Sequence, residues 1–418
     1  MNALVKSATI VDPKSNFHNQ TVDILIEKGF ISKIAKRISN PKNYKEIKRD
    51  NLHVSQGWFD SSVCFGEPGY EERETIENGL KTAACSGFTA VALNTNTNPV
   101  IDSYADISFL LSKSNKHAVN IYPYGALTKN SDGKELAELF DMKSAGAVAF
   151  YDYQKPISNS NLMKLALQYA SNFNGLVCSF PQESQISGLG VMNENITSTS
   201  IGLKGNPSLA EQLQVARDLF ILEYTEGKLH IPTISTEKSV ALIRAAKKKK
   251  LDVTCSVAIH NLLFTDEQLK SFNTSFKVLP PLRTQNDINA LIEGLKDGTI
   301  DMVTSDHNPI DVEHKKLEFD YAKYGTIGLE SAFGALNSIL TTKKTIELLT
   351  KGKERFDIEP TPITEGNKAD LALFNPNGNY IFTKDNVIST SKNTIFENKE
   401  LTGKSYGIIA NNQIVLNN

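Results

Sequence analysis

At 418 residues, the chain exceeds the roughly 250 to 300 residues at which a single hydrophobic core stops growing, so one large unit and a smaller one are expected. Hydrophobic residues make up 40% and charged residues 22%, a balance that excludes the disordered and fibrous classes. With 45 Lys and Arg against 47 Asp and Glu, the formal net charge is -2; no global field gathers polyanions, and nucleic acid is not an expected partner.

The opening stretch, MNALVKSATIVDPKSN, has no apolar run of signal-peptide length behind a basic head, and no later segment approaches about eighteen apolar residues. Neither export nor a membrane span is expected. Residues 1–55 alternate apolar and polar positions in short runs such as ALVKSATIV and VDILIEKGFISKIA, the pattern of a small β unit. From residue 56 the pattern changes to apolar strands followed by helices: GFTAVALNT, SYADISFLLSKS, AVNIYPYGALT, ELAELFDMKSAG and AVAFYD, then LMKLALQYASNFNG, LVCSF and the later units to IDMVTSD. Such alternation implies parallel βα units. About eight fit into residues 56–359, which favours a (β/α)₈ barrel over an open doubly wound sheet. Lys247 to Lys250 close an amphipathic helix and read as a solvated helix end. The β texture returns in ADLALFNPNGNYIF and SYGIIANNQIVL, so residues 360–418 are expected to pair with residues 1–55 in one composite β domain. Cys64, Cys85, Cys178 and Cys255 show no CxxC pair, so reduced thiols and a cytoplasmic location are the default.

Chemistry in a barrel belongs at the carboxyl ends of its strands. Read there, the segments FDSSVCFGEPGYEERETIENGLKTAACSGFTAV, NTNPVIDS, GAVAF, GVMNE, AEQLQVARD, KLHIPTIST, PPLRTQND, GTIDMVTSDHNP and GLESAFGAL resemble, in order and over nearly the whole chain, the dihydroorotases of the long bacterial and multifunctional type, in the metal-dependent amidohydrolase superfamily. The resemblance implies a TIM barrel with a composite β-sandwich domain. It also implies a reaction, the reversible hydrolysis of a cyclic amide by metal-activated water that a carboxylate deprotonates.

The resemblance also says where ligands belong, and most are missing. Ser62 and Cys64 stand at the HxH after the first strand; Cys64 reads as a small buried residue rather than a ligand. Adjacent aspartates are expected after GAVAF, where Asp152 fills the first and Tyr153 the second, the suspected ligand. Phe180 stands for a histidine, Gln182 for a glutamate, and Thr233 for another histidine. None of these replacements binds zinc well. Asp306, at the position of the general base and last ligand, survives, although an aspartate before His307 and Asn-Pro also suits a turn. Gly66 replaces the arginine that pairs with the substrate carboxylate, and Ile310 replaces a histidine of the last loop. Asn96 and His307 are the remaining candidates for substrate contact. A rebuilt metal set could draw on His230, His260, His307 and Asp306.

These readings imply a silent dihydroorotase homologue, with no cofactor expected and a structural or regulatory role. By family analogy its partner would be aspartate carbamoyltransferase, and it would form homo-oligomers. Two alternatives stay open. One is an active cyclic amidohydrolase with zinc in a rebuilt site, and the other is a sensor that binds a pyrimidine precursor without hydrolysing it.

Overall fold

A computed structural model describes residues 1–417. The chain opens with β1 (Ala3–Ile10), β2 (Thr21–Glu27), β3 (Phe30–Ala35), β4 (Lys45–Ile47) and β5 (His53–Gln56). It continues through β6 (Trp58–Val63), β7 (Phe88–Leu93), β8 (Asn120–Gly125), β9 (Ala149–Phe150) and β10 (Val177–Cys178). A short parallel pair, β11 (Met192–Asn193) and β12 (Gly205–Asn206), precedes β13 (Leu229–Ile231), β14 (Val253–Ala258) and β15 (Met302–Thr304). The chain closes with β16 (Leu371–Ile381), β17 (Glu400–Ala410) and β18 (Gln413–Leu416).

Two eight-stranded sheets result. In one, the order β18-β17-β16-β5-β1-β2-β3, with β4 beside β1, joins the two chain ends. The junction is the antiparallel pairing of β5 with β16, from Leu371 opposite Gln56 to Phe374 opposite His53. In the other, β6 to β10 and β13 to β15 follow one another in sequence order, and every neighbouring pair is parallel. This is the barrel. Its strands β6 and β7 are buried at every residue, as parallel strands covered on both faces must be.

Side-chain alternation sorts the barrel into two cores. Val91 and Leu93 of β7 pack into the layer shared with the outer helices, while Ala90 and Ala92 point to a separate interior cluster with Phe59, Tyr124, Tyr151, Cys178, Met302 and Phe356. Small alanines leave room for a column of rings: Phe59 lies 5.3 Å from Phe356, Tyr124 5.9 Å from Phe356, and Tyr151 5.8 Å from Tyr124, centroid to centroid. Trp58 joins barrel to terminal sheet, stacking on Phe333 at 4.9 Å and lying 5.7 Å from Phe374 of β16. Outer helices start at hydroxyl caps that satisfy their first N–H groups. Thr75 accepts from the Asn78 N–H, and Ser103 and Thr284 form reciprocal capping boxes with Asp106 and Asp287.

The lysine run at 247 to 250 is less free than its sequence suggested. Helix Glu237–Lys248 does end there, but the Lys247 ammonium donates to both carboxylate oxygens of Asp301 at 2.6 Å, and Lys249 pairs with Glu223 at 2.9 Å. No helix among the described residues is long and apolar enough to cross a membrane.

The ladder path leaves β6 and β15 at its two ends, and the seam between them is closed largely by a side chain. The buried Asp60 carboxylate accepts from the Thr304 hydroxyl at 2.5 Å, the Ser305 N–H at 2.9 Å and the Ser62 N–H at 3.0 Å. Beyond it the Cys64 N–H donates to the His307 carbonyl at 2.7 Å. Asp60→Ala would leave three buried donors unpaired, and is expected to cost about 3 kcal/mol or more. Asp60→Asn, which keeps one acceptor, should cost less; urea midpoints at neutral pH measure both.

Candidate active site

Barrel geometry brings together, at the carboxyl end of the seam, most of the strand-end residues singled out in the sequence. Ser62 donates its hydroxyl proton to Asp306 at 2.9 Å, and the Tyr153 hydroxyl reaches the same carboxylate oxygen at 3.3 Å. Asn94, at the end of β7, ties the group from behind, its amide donating to the Ser62 hydroxyl at 3.0 Å and to the Cys64 sulfur at 3.4 Å. Asn94 did not stand out in the sequence, where only its place after the apolar run VAL marked it. Cys64, Tyr153 and Phe180 also belong to the interior ring cluster, so this pole of the barrel is mostly hydrophobic core.

Electrostatics follow from that burial. Asp306 is 5% exposed, and burial pushes its carboxyl up to about 7, reinforced by the nearby Asp60 and opposed by the Ser62 and Tyr153 hydrogen bonds. Burial, with Asp306 adding to it, pushes the Cys64 thiol up to about 12, so at neutral pH it is a thiol and not the thiolate that binds metal. The Tyr153 phenol is raised well above its ordinary value by burial and by Asp306. Thr233 and Asp306 hold φ angles of 50° and 46°, a left-handed conformation that costs non-glycine residues about 1 to 3 kcal/mol. The backbone therefore keeps strained turns at two places where the resemblance puts ligands.

Asp152, the first of the expected aspartate pair, faces elsewhere. Its buried carboxylate accepts from the Leu127 and Thr128 N–H groups at 2.8 and 3.1 Å and from the Thr128 hydroxyl. It fixes the loop after β8. Gly66 cannot be exchanged for arginine on this backbone, because a Cβ there would lie 1.8 Å from the Tyr70 carbonyl oxygen.

The three barrel histidines do not converge. His230 bonds through its ring to Thr254 at 2.9 Å and to Ser256 at 3.3 Å, under the Phe356 ring. His307 is fully buried, and its Nδ1 accepts from the Gly328 and Leu329 N–H groups at 3.2 and 3.4 Å. Among the described residues, both ring nitrogens of buried His260 lack a protein partner, and no three His, Cys, Asp or Glu side chains cluster as a metal site would require. The donors actually present at the expected ligand positions are two hydroxyls, a neutral thiol, a phenol, a phenyl ring and one carboxyl. They do not fit a zinc ion, which takes imidazole, thiolate or several carboxylates.

Above this pole opens a cavity of about 850 Å³. Asn96, Tyr153, Gln182 and Ile310 line it, whereas Ser62, Cys64, Phe180, Thr233, Asp306 and His307 do not. Tyr153 therefore roofs Asp306, touching it from the cavity side. His307, a candidate for substrate contact in the sequence, supports the backbone behind the wall. Sequence reading missed a basic rim of Arg73, Lys155, Lys204, Lys277 and Lys323, which comes from separate loops and shows no local motif.

Solved structures of the same shape define the class. The L-hydantoinase (dihydropyrimidinase) of Arthrobacter aurescens superposes with a TM-score of 0.83 at 21% identity, covering 97% of this chain and 94% of that one. The dihydropyrimidinase of Brevibacillus agri gives 0.84 at 17% identity, over 100% and 95%. The fold is thus the amidohydrolase TIM barrel with an attached β-sandwich domain. A family model described as dihydro-orotase-like matches residues 53–239. The dihydroorotase of Acetivibrio thermocellus is 40% identical over 99% of this chain and 98% of its own, and that of Pelotomaculum thermopropionicum 39% identical over 100% and 99%. The chain belongs to the dihydroorotase family.

Burial drives the imidazoles of His230 and His260 down to about 3, against an ordinary value near 6.5. The unfolded chain takes up these protons first, so the stability contributed by the neutral rings is complete above pH 6.5 and is lost as pH falls from 6.5 towards 3. His260→Gln should make the acid loss of stability shallower, by about 1.4 kcal/mol per pH unit where one proton is removed from the balance. Urea midpoints followed downward from neutral pH check this; an unchanged slope would mean that the ring is charged in the fold.

Proposed function

We propose that this protein serves pyrimidine biosynthesis as a dihydroorotase homologue that does not itself hydrolyse the ring amide, in a structural or regulatory role. The observation that carries the reading is the filled metal pole. Where the family resemblance puts ligands, Tyr153 and Phe180 belong to the ring cluster, Cys64 holds its proton, and Asp306 lies beneath Tyr153, bonded to Ser62. Unassisted water is a poor nucleophile towards an amide, and a lone buried carboxyl does not replace the activation that a metal supplies. The partner we propose is aspartate carbamoyltransferase, by family analogy alone, with the protein acting in the cytoplasm as a homo-oligomer.

A second reading, an active cyclic amidohydrolase with a rebuilt site, draws on Asp306, because a carboxyl near 7 suits a general base at neutral pH. The roof of Tyr153 over that carboxyl weighs against it.

Metal analysis of the purified protein, beside assays of dihydroorotate hydrolysis and of carbamoyl aspartate cyclisation, decides between them. Substoichiometric zinc and no turnover are expected. Stoichiometric zinc, with turnover that Asp306→Ala abolishes, would overturn the silent reading. Failure to co-migrate with the carbamoyltransferase of the same organism in size-exclusion chromatography would remove the proposed partner.

A further inference from the structure

A second cavity, of about 210 Å³, opens at the opposite end of the barrel from Tyr153. Gln56, which lines it, closes β5 two residues before β6 begins at Trp58, so the cavity sits where the first barrel strand enters. The turn at residues 11–14 after β1 forms one wall, and the outer helix Thr342–Lys351 forms the other. Val11 and Ile346, 8% and 4% exposed, face the space together with Pro13 and Pro360. An apolar cavity of about 150 Å³ is enough to hold a benzene ring, so this one has room for a ring and a small substituent.

Formal charge around the cavity cancels: Lys14, Lys343 and Lys351 stand against Asp12, Glu347 and Glu354. Glu354 lies 3.6 Å from Lys14, and Glu347 2.8 Å from Lys344. Asp12 is fully engaged, one oxygen accepting from the Lys14 N–H and the Gln56 amide at 3.0 Å each, the other from the Ile363 N–H at 2.8 Å. Neither an anion nor a cation is favoured by such a lining. The Gln56 side chain, by contrast, is half used. It is 8% exposed, its Nε2 is committed to Asp12, and among the described residues its Oε1 accepts from no protein donor. Buried amide oxygens ordinarily have a partner. A packing gap between sheet and helix would account for the apolar walls, but it supplies no donor for that oxygen.

We propose that this cavity is a binding site for a small neutral molecule, a single ring carrying one O–H or N–H donor. The ring lies against Val11, Ile346 and the two prolines, and its donor reaches Gln56 Oε1. A molecule seated there touches the terminal sheet and a barrel helix at once, so its binding stabilises the contact between the two units. The inference is independent of the silent reading, because none of these residues belongs to the Asp306 pole or to the cavity above it.

Phenol and toluene, which differ in the donor alone, are the probes, with benzoate as the charged control. Saturation-transfer NMR on the full-length protein should show saturable phenol binding, about fivefold or more tighter than that of toluene, which leaves the amide oxygen unpaired. Benzoate should bind no better than toluene. Phenol should also raise the thermal midpoint. Thr350→Trp, at a partly exposed position on the cavity wall, should fill the space and abolish phenol binding while the fold, read from its own thermal midpoint, is kept. Gln56→Met should remove the preference for phenol over toluene; because Gln56 is buried and its replacement can also cost stability, Thr350→Trp keeps the test independent of that variant. No saturable phenol binding, equal affinity for phenol and toluene, or phenol binding untouched by Thr350→Trp overturns the site, and each of these leaves the silent reading where it stood.

Discussion

The Asp60 carboxylate holds the first barrel strand to the last. It is a charged group that burial penalises, kept in place because Thr304, Ser305 and Ser62 each give it a hydrogen bond. Everything at the carboxyl end of the barrel hangs from that seam. Ser62 lies two residues beyond Asp60 and Asp306 two beyond Thr304, so closing the seam brings the Ser62 hydroxyl against the Asp306 carboxylate. The charge of Asp60 in turn helps to lift Asp306. Closure of the fold and chemistry of the candidate site are therefore one arrangement.

Around this polar strip the barrel interior is a column of rings, from Phe356 and Phe59 through Tyr124 and Tyr151 to Tyr153 and Phe180. A hydrolytic metal centre needs charged ligands and an open coordination position at the upper end of such a column. Here the upper end continues the core. Rings that bury apolar area are stabilising where unpaired ligands would be costly. The cavity remains above this floor, and its charge comes from Arg73 and lysines on the surrounding loops, while Asn96, Tyr153 and Gln182 at the strand ends add neutral polar groups.

Much of the architecture was legible in the chain. Parallel barrel strands show as apolar runs before helices, and the β texture at both ends foretold a sheet that the β5–β16 ladder makes real. The strand-end residues Ser62, Cys64, Tyr153, Phe180 and Asp306 could be picked out because the resemblance to the dihydroorotases places ligands at those strand ends. Asp60 and Asn94 were not legible as partners. Each is an ordinary polar residue beside an apolar run, and its role depends on atoms as much as 245 residues away. Nor was the depth of His307, because a residue next to Asp306 shares its loop but not its facing.

The sequence by itself determined the class of fold, the family and the chemical poverty of the ligand positions, because strand and helix periodicities and side-chain identities are local properties. Only the tertiary structure decided which side chains surround Asp306, which residues see the cavity and which charged groups are buried. Burial and pairing are properties of distances between segments. Tyr153 is a polar aromatic in the chain and a roof over a carboxyl in the fold, and Lys277 is one lysine among many until the fold buries its ammonium against the Phe319 and Asp320 carbonyls.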